Sequence, residues 1–373
     1  MPKTFKLSLL TLAGLTAAAP SFAGGLALSQ IGTAESVATA GVAGVTNNRD
    51  SSAVISNPAG LSGIEHNSTV LGVQYLNSES EFERNLGSGT TAKSDQFLPH
   101  LSFAQRINEN WVAGLSVHSP GGLGVEYSNG LTGGVNGASL VDENSIEMLN
   151  LTASASYQVN QQLALGASII AQYASVSTEF SAGQEQGDID ADNWSPSFAL
   201  GAVYQASDAT HLGLTYNYGG KHKLDLDTAI TGLNEQDLNW PQSIEAGLQH
   251  QVNQDLALML SANWRQWSRL GDDFKDTYGA GIAMSYQMSD WTVQTGFSID
   301  SSPLNSKDRG HALPLDQQWR LGVGGTKTLS NGMGLGLAYQ YQSLGDGDIT
   351  GSLLNKGHYD TNRVHFITGS LSF

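Results

Sequence analysis

The residues that could do chemistry in this chain are few and poorly matched. Ser and Asp are plentiful and there are nine histidines, but no spacing assigns a base to a nucleophile. His100, His118 and His365 stand in or beside alternating, strand-like runs, where wall or interface positions suit them better than catalysis. Gly345-Asp346-Gly347-Asp348 could attract Ca²⁺ but lacks the ligand spacing of a loop site. The chain has no cysteine, which removes disulfides, thiolate metal sites and a thiol nucleophile. No catalytic residue, metal or cofactor is therefore expected. What remains is binding. Arg265, Lys275 and Arg320 are cations that could hold an acidic head beside an apolar slot, with Trp267 and Tyr278 nearby. Each reads equally well as a rim or wall salt-bridge residue. Leu224, Leu226, Ile230, Leu233 and Leu238 give the stretch 220–239 an apolar surface suited to capture.

The elements that must position these residues are strands. The first 23 residues read as an export leader: Lys3 and Lys6, an apolar stretch from Leu7 to Ala19, and a small-x-small site at Ser21-Phe22-Ala23. The formal charge is −17, and −19 once that leader is removed, which argues against nucleic acid as a partner. Beyond the leader no apolar run approaches the ~20 residues of a spanning helix. Yet only 14% of the residues are charged and 44 are glycine, where a soluble domain averages about 25% charged. A mean hydropathy of −0.19 is then the average of two alternating faces, as in a membrane barrel.

From residue 68 onward the dominant period is two. In Met333–Tyr341 one parity is large and apolar and the other small or polar; Leu256–Trp264 and Tyr278–Tyr286 repeat this. About fourteen such segments can be placed, separated by gaps that alternate in length. Short turns centre on Asn108-Glu109, Val159-Asn160, Ser207-Asp208, Asn253-Gln254, Ser289 and Ser330-Asn331. Long loops fall near 78–97, 120–145, 175–192, 220–239, 266–276, 301–316 and 344–361. Short periplasmic turns opposite long external loops are the pattern of an outer-membrane barrel, and aromatics such as Trp111, Tyr157, Tyr204, Trp291, Trp319 and Tyr341 sit at segment ends, as in interfacial girdles. The predicted fold is all-β: a transmembrane antiparallel barrel of about 14 strands over 68–373, with a small-residue N-terminal plug over 24–67 inside its lumen. Parity points mostly small residues inward, with Arg106, Glu245, Arg265 and Arg320 as charged exceptions. An aqueous porin would be lined more strongly by polar and charged groups.

Several stretches resemble the FadL family of outer-membrane transporters for long-chain fatty acids and hydrocarbons, the TodX-like aromatic hydrocarbon group included. Asn57-Pro58-Ala59-Gly60-Leu61 is similar to that family's plug motif, and His118-Ser119-Pro120-Gly121-Gly122-Leu123-Gly124-Val125-Glu126-Tyr127 to the segment after its third strand. Trp240-Pro241-Gln242-Ser243, Trp267-Ser268, Phe274-Lys275-Asp276, Asp300-Ser301-Ser302-Pro303 and Pro314–Gly322 continue the likeness in order. The resemblance implies loop capture, plug movement and lateral exit through the barrel wall, with the Asn-Pro-Ala motif (Asn57, Pro58, Ala59) beside an inward kink of the third strand. Gly114, lacking a side chain, is the expected kink. It implies a hydrophobic small-molecule ligand, surroundings of outer-membrane lipid and lipopolysaccharide, delivery by the barrel-assembly machinery, and a monomer. After Tyr173 there is no cation, and 175–192 is short and acidic, both departures from a fatty acid carrier. A general porin, a structural or adhesive surface barrel, and a barrel hydrolase are the competing readings.

Overall fold

Alternation of large apolar and small or polar side chains turns this sequence into strands that need a partner on both edges, and a closed barrel supplies it. The computed structural model describes residues 28, 30–85, 89–126, 143–182, 185–225, 227–228, 235–309, 314–350 and 356–373. The expected export leader lies outside these residues. Before the wall come two short helices, α1 (Ala34–Ala38) and α2 (Ala53–Ser56), with 3₁₀ turns at Gly44–Thr46 and Pro58–Gly63. The strands are β1 (Asn67–Arg84), β2 (Thr90–Arg106), β3 (Trp111–His118), β4 (Gly122–Glu126), β5 (Glu143–Gln158), β6 (Leu163–Ala182), β7 (Glu185–Ser207), β8 (Thr210–Tyr218) and β9 (Lys221–Asp225). They continue with β10 (Asp227–Thr228), β11 (Glu235–Asn239), β12 (Ser243–Gln251), β13 (Leu256–Arg265), β14 (Thr277–Met288), β15 (Trp291–Asp300), β16 (Gln318–Thr328), β17 (Gly334–Ser343) and β18 (Gly357–Ser372).

Each strand pairs antiparallel with its neighbours, β8 with β7 and β12, and β18 with β1, so the sheet closes. Fourteen wall positions result, with β3 and β4 sharing one of them and β10 a two-residue addition to β7. β9 and β11 pair outside the wall. Three expected loops are in fact continued strands. β1 and β2 run to Arg84 and from Thr90, β6 and β7 to Ala182 and from Glu185, and β4 lies within the expected loop after β3. The reason is visible in Asn77-Ser78-Glu79-Ser80-Glu81, which is polar on both faces. It lacks the apolar alternation by which a wall strand is recognised, yet it pairs in regular register with Ser94, Lys93 and Ala92 of β2.

Three of the short turns share one device. The Oδ1 of Asn108 accepts from the amides of Asn110 and Trp111, that of Asn160 from Gln162 and Leu163, and that of Asn253 from Asp255 and Leu256, all at 2.9–3.0 Å. Such Asx turns satisfy amides that the reversing chain leaves unpaired. Beside them sit Trp111 against Tyr157 (4.9 Å) and Lys327 over Trp291 (5.3 Å). Towards the opposite end Tyr75 meets Phe97 at 5.0 Å and Trp319 meets Tyr341 at 5.1 Å. Between these girdles Leu115, Ile169, Leu200, Ile282 and Leu337 point outward, each at least half exposed, as lipid-facing residues must.

The segment before β1 fills the lumen. Its backbone is mostly irregular, so its carbonyls need partners, and the wall's small hydroxyl residues supply them. Ser154 donates to Val54 O (3.2 Å), Ser156 to Ala59 O (3.0 Å) and Ser298 to Ala40 O (3.0 Å), while Arg106 reaches Ile64 O at 2.7 Å. Each such bond contributes about 0.5–1.5 kcal/mol net. Small inward residues are thus explained by what lies against them. A Cβ on Gly322 would overlap Val37 O, and one on Gly213 would overlap Val45 O.

Candidate functional site

The barrel wall is interrupted at one place beside the N-terminal segment. β2 pairs with β3 only from Leu101 (opposite Val117) to Arg106, and from Thr90 to His100 its ladder partner is β1 alone. β4 pairs only with β5. Between β3 and β4, the three residues Ser119-Pro120-Gly121 face only Met148 and Leu149, a one-residue shift in register along β5. Two prolines account for the open rung. Extending the β2–β3 register places Pro99 opposite Ser119 and Leu98 opposite Pro120. Proline has no amide to donate, and within sheets it is confined to edges and bulges. A closed barrel has no edge, so one proline on each side of the rung creates a local one. Across this rung the N-terminal segment makes the bond that the ladder does not: the Leu28 amide donates to Pro120 O at 3.1 Å.

Gly114 is placed otherwise than the sequence suggests. It is paired on both sides, with Ala104 and Ser154, in an unbroken ladder. Its missing side chain serves a close approach, since a Cβ there would meet Val54 Cγ2. Asn57-Pro58-Ala59 also lies away from the interruption. Asn57 is fully buried; its Oδ1 accepts from the Ala59 amide (3.1 Å), and its Nδ2 donates to Val45 O (2.8 Å) and to Ala202 O of β7 (3.2 Å). Pro58 starts the 3₁₀ turn, where its lost amide costs nothing. A side chain on Gly166 or Gly201 would collide with this turn, so the motif is seated on β6 and β7.

On the lumen side of the interruption is a cavity of about 150 Å³. Leu28, His118 and Pro120 border it on one side, and Trp240, Glu245 and Arg265 on the other. Arg265 is therefore the sequence-derived cation that the fold brings to the interruption. It belongs to a balanced inward cluster with Glu245, Asp300 and Arg320. Arg320 is buried in an ion pair with Asp300, which also accepts from Asn263 at 3.2 Å, so its charge is already neutralised. Lys275 is exposed and bonded to Asn305 at 3.1 Å, and it does not line the cavity. Trp267 is buried and stacks on Phe274 at 6.4 Å. Leu224 is buried on β9, whereas Leu226 and Ile230 lie outside the described residues.

A larger apolar surface escapes the sequence reading altogether. Leu76, Leu98, Met148, Trp240, Trp267 and Phe366 pack into one buried cluster, joined by Val37 and Ala38 of α1 and fringed by Leu28 and Leu238. These wall residues stand on the inward parity of the outer halves of their strands. Parity alone could have found Leu76, Leu98 and Phe366, but the small residues around them make the inward face look uniformly weakly polar. The cluster joins the loop residues Trp240 and Trp267 to the segment that carries Leu28. It is one packed apolar core that ties these loop residues to the segment beside the interrupted rung.

The comparisons with known proteins accord with the barrel fold. A family profile described as outer membrane protein transport protein (OMPP1/FadL/TodX) matches residues 14–364. The long-chain fatty acid transport protein of Escherichia coli K12 is 22% identical over 368 residues, covering 78% of this chain and 82% of that protein. The crystal structure of a Pseudomonas aeruginosa FadL homologue superposes with a TM-score of 0.81 at 21% identity, covering 94% of this chain and 99% of the other. The Pseudomonas putida toluene transporter TodX does so with a TM-score of 0.67 at 19% identity, covering 92% and 98%. By the span of that match and the barrel it folds into, the chain belongs to the OMPP1/FadL/TodX family of outer membrane transport proteins.

Proposed function

We propose that this barrel takes up hydrophobic small molecules across the outer membrane and releases them sideways through its wall. Molecules gather on the outer loops around Trp240, Trp267 and Leu224 and pass along the apolar lining of Leu76, Leu98 and Phe366. They then reach the cavity behind Ser119-Pro120-Gly121. Displacement of the segment around Leu28 opens the interrupted rung, and the cargo leaves into the bilayer rather than into water. The observation that carries this reading is the ladder gap between β2 and β4, into which the Leu28 amide reaches to bond Pro120 O. It is supported by two of the relatives, one a long-chain fatty acid transport protein and the other a toluene transporter. A filled lumen with wall glycines pressed on the N-terminal segment disfavours a general porin.

The test is uptake of a panel of fatty acids, alkanes and aromatic hydrocarbons by cells with and without the protein. Faster entry of at least one apolar class is expected, with near-silent conductance in planar bilayers. Indifference to every compound, or a steady large ion current, overturns the proposal.

A further inference from the structure

The outer ends of the first and last wall strands bring together three side chains that stand far apart in sequence. Glu83 of β1 pairs in register with His358 of β18, and Asp360 follows on the same face of β18. The β1–β18 register shifts between Glu81 (opposite Thr361) and Phe82 (opposite Tyr359), which leaves Asp360 as a bulged residue without a partner on β1. His358 Nε2 lies 2.7 Å from Asp360 Oδ1, and one ligand atom from each of the three residues falls within 4.8 Å of the others. Among the described residues this is the one such convergence of three His, Asp or Glu side chains.

The surroundings of the cluster suit a cation. The side chains of His358 and Asp360 are 46% and 48% exposed, and Glu83 is exposed, so an ion from the medium can reach every ligand. The cluster stands roughly 25 Å along β1 from Tyr75 of the aromatic girdle, outside the apolar band. Among the described residues neither carboxylate has a Lys or Arg within ion-pair distance, whereas Glu79 on the same strand pairs with both Lys93 and Arg363. Two carboxylates beside one imidazole thus leave negative charge for a cation to neutralise. The backbone beneath is held in place: Phe82 and Tyr359, the inward neighbours of the three, are buried, meet at 4.9 Å and pack on Ile349.

We propose that Glu83, His358 and Asp360 bind a divalent transition ion of the zinc class, which ties the first strand to the last on the outer rim. An imidazole nitrogen selects such an ion over Mg²⁺ and Ca²⁺, whose preferred ligands are all oxygen. Three protein ligands leave a tetrahedral ion one position for water. On binding, the ion replaces the direct contact between His358 and Asp360. None of the three residues lines the lumen cavity, so the site stands or falls independently of the uptake reading.

The experiment titrates the purified barrel, stripped of metal with a chelator and held in lipid nanodiscs, with ZnCl₂ by calorimetry, with empty discs as the blank. A single ion is expected to bind, and an excess of CaCl₂ to leave it in place. His358→Gln, and the double variant Glu83→Gln with Asp360→Asn, are each expected to weaken binding at least about tenfold, since even the second-layer partners of metal ligands are worth that much. These positions are exposed, so both variants should migrate like the native barrel on semi-native gels. Zinc should raise the unfolding temperature of the native barrel and leave that of either variant unchanged. Absence of zinc binding, displacement by calcium, or undiminished affinity in either variant overturns the proposal.

Discussion

The amide of Leu28 lies 3.1 Å from the carbonyl of Pro120, so the N-terminal segment is bonded to the wall at the rung where β2 and β4 do not pair. A wall opening and a lumen segment are thereby one structural unit. Movement of either breaks the same hydrogen bond.

Restoring donors at this rung should seal it. Pro99→Ala combined with Pro120→Ala gives both strands amides that can enter the ladder, each bond contributing about 0.5–1.5 kcal/mol. The double variant is expected to assemble normally, to melt at a slightly higher temperature, and to take up apolar compounds several-fold more slowly. Undiminished uptake by a well-assembled barrel would remove the lateral route.

The seat of Asn57 offers a second check. Asn57→Ala removes the bonds to Val45 O, Ala202 O and the Ala59 amide. Leaving buried groups unpaired costs about 1–3 kcal/mol. The barrel should still form, but protease should cut within residues 30–66 much faster than in the native protein. Equal protease resistance would show that the motif does not hold the segment in place.

Gly201→Val tests the same contact from the wall. Its side chain would occupy the space of Asn57 Oδ1, and overpacking of this kind costs about 1–3 kcal/mol. Expulsion of the segment should turn a near-silent barrel into one that conducts ions in planar bilayers. A variant that stays silent would mean the wall has yielded instead.

Much of this shell was legible in the sequence, and the reasons are particular. Leu256–Trp264 and Tyr278–Tyr286 alternate cleanly because one face meets lipid and the other meets the lumen segment, and both now pair in register. Asn108, Asn160 and Asn253 marked their turns because the turn chemistry is local. The site was less legible. Gly114 drew attention as a missing side chain, but a glycine in a strand signals close approach as readily as a bend, and Val54 is what approaches it. The real interruption was written in Pro99 and Pro120. These lie far enough apart in sequence that only the register makes them neighbours. Likewise Arg320 read as an available cation because Asp300, its partner, sits on the next strand.

That ion pair yields a further prediction. Arg320→Met leaves Asp300 buried without its partner, a change that costs roughly 3–5 kcal/mol. Adding Asp300→Asn removes the stranded charge and should recover most of the loss. Heat-induced unfolding on semi-native gels would report both effects. Should the double variant be no better than the single one, Arg320 must serve another group, such as the cargo.

Arg309 is the corresponding test in the outer loops. Its buried guanidinium donates to Leu315 O (2.8 Å) and Asp348 O (2.5 Å) and pairs with Asp316 (3.0 Å). Arg309→Ala should loosen the loops around Leu304 and Ile349 while sparing the wall, since unpaired carbonyls there cost about 1–3 kcal/mol. Faster proteolysis confined to those loops is the expected result. Wild-type resistance would show that other contacts carry them.

The glycines beneath the lumen segment have a mechanical consequence. Val37, Thr39, Val45 and Pro58 each rest on a wall glycine, on β16, β15, β8 and β6 respectively. Such a fit resembles teeth in sockets placed around the circumference. A piston stroke along the barrel axis would have to drag every tooth over a wall side chain at once. If the wall opens as proposed, the part that can move is therefore Leu28 with residues 30–32, while the remainder stays bolted as its frame.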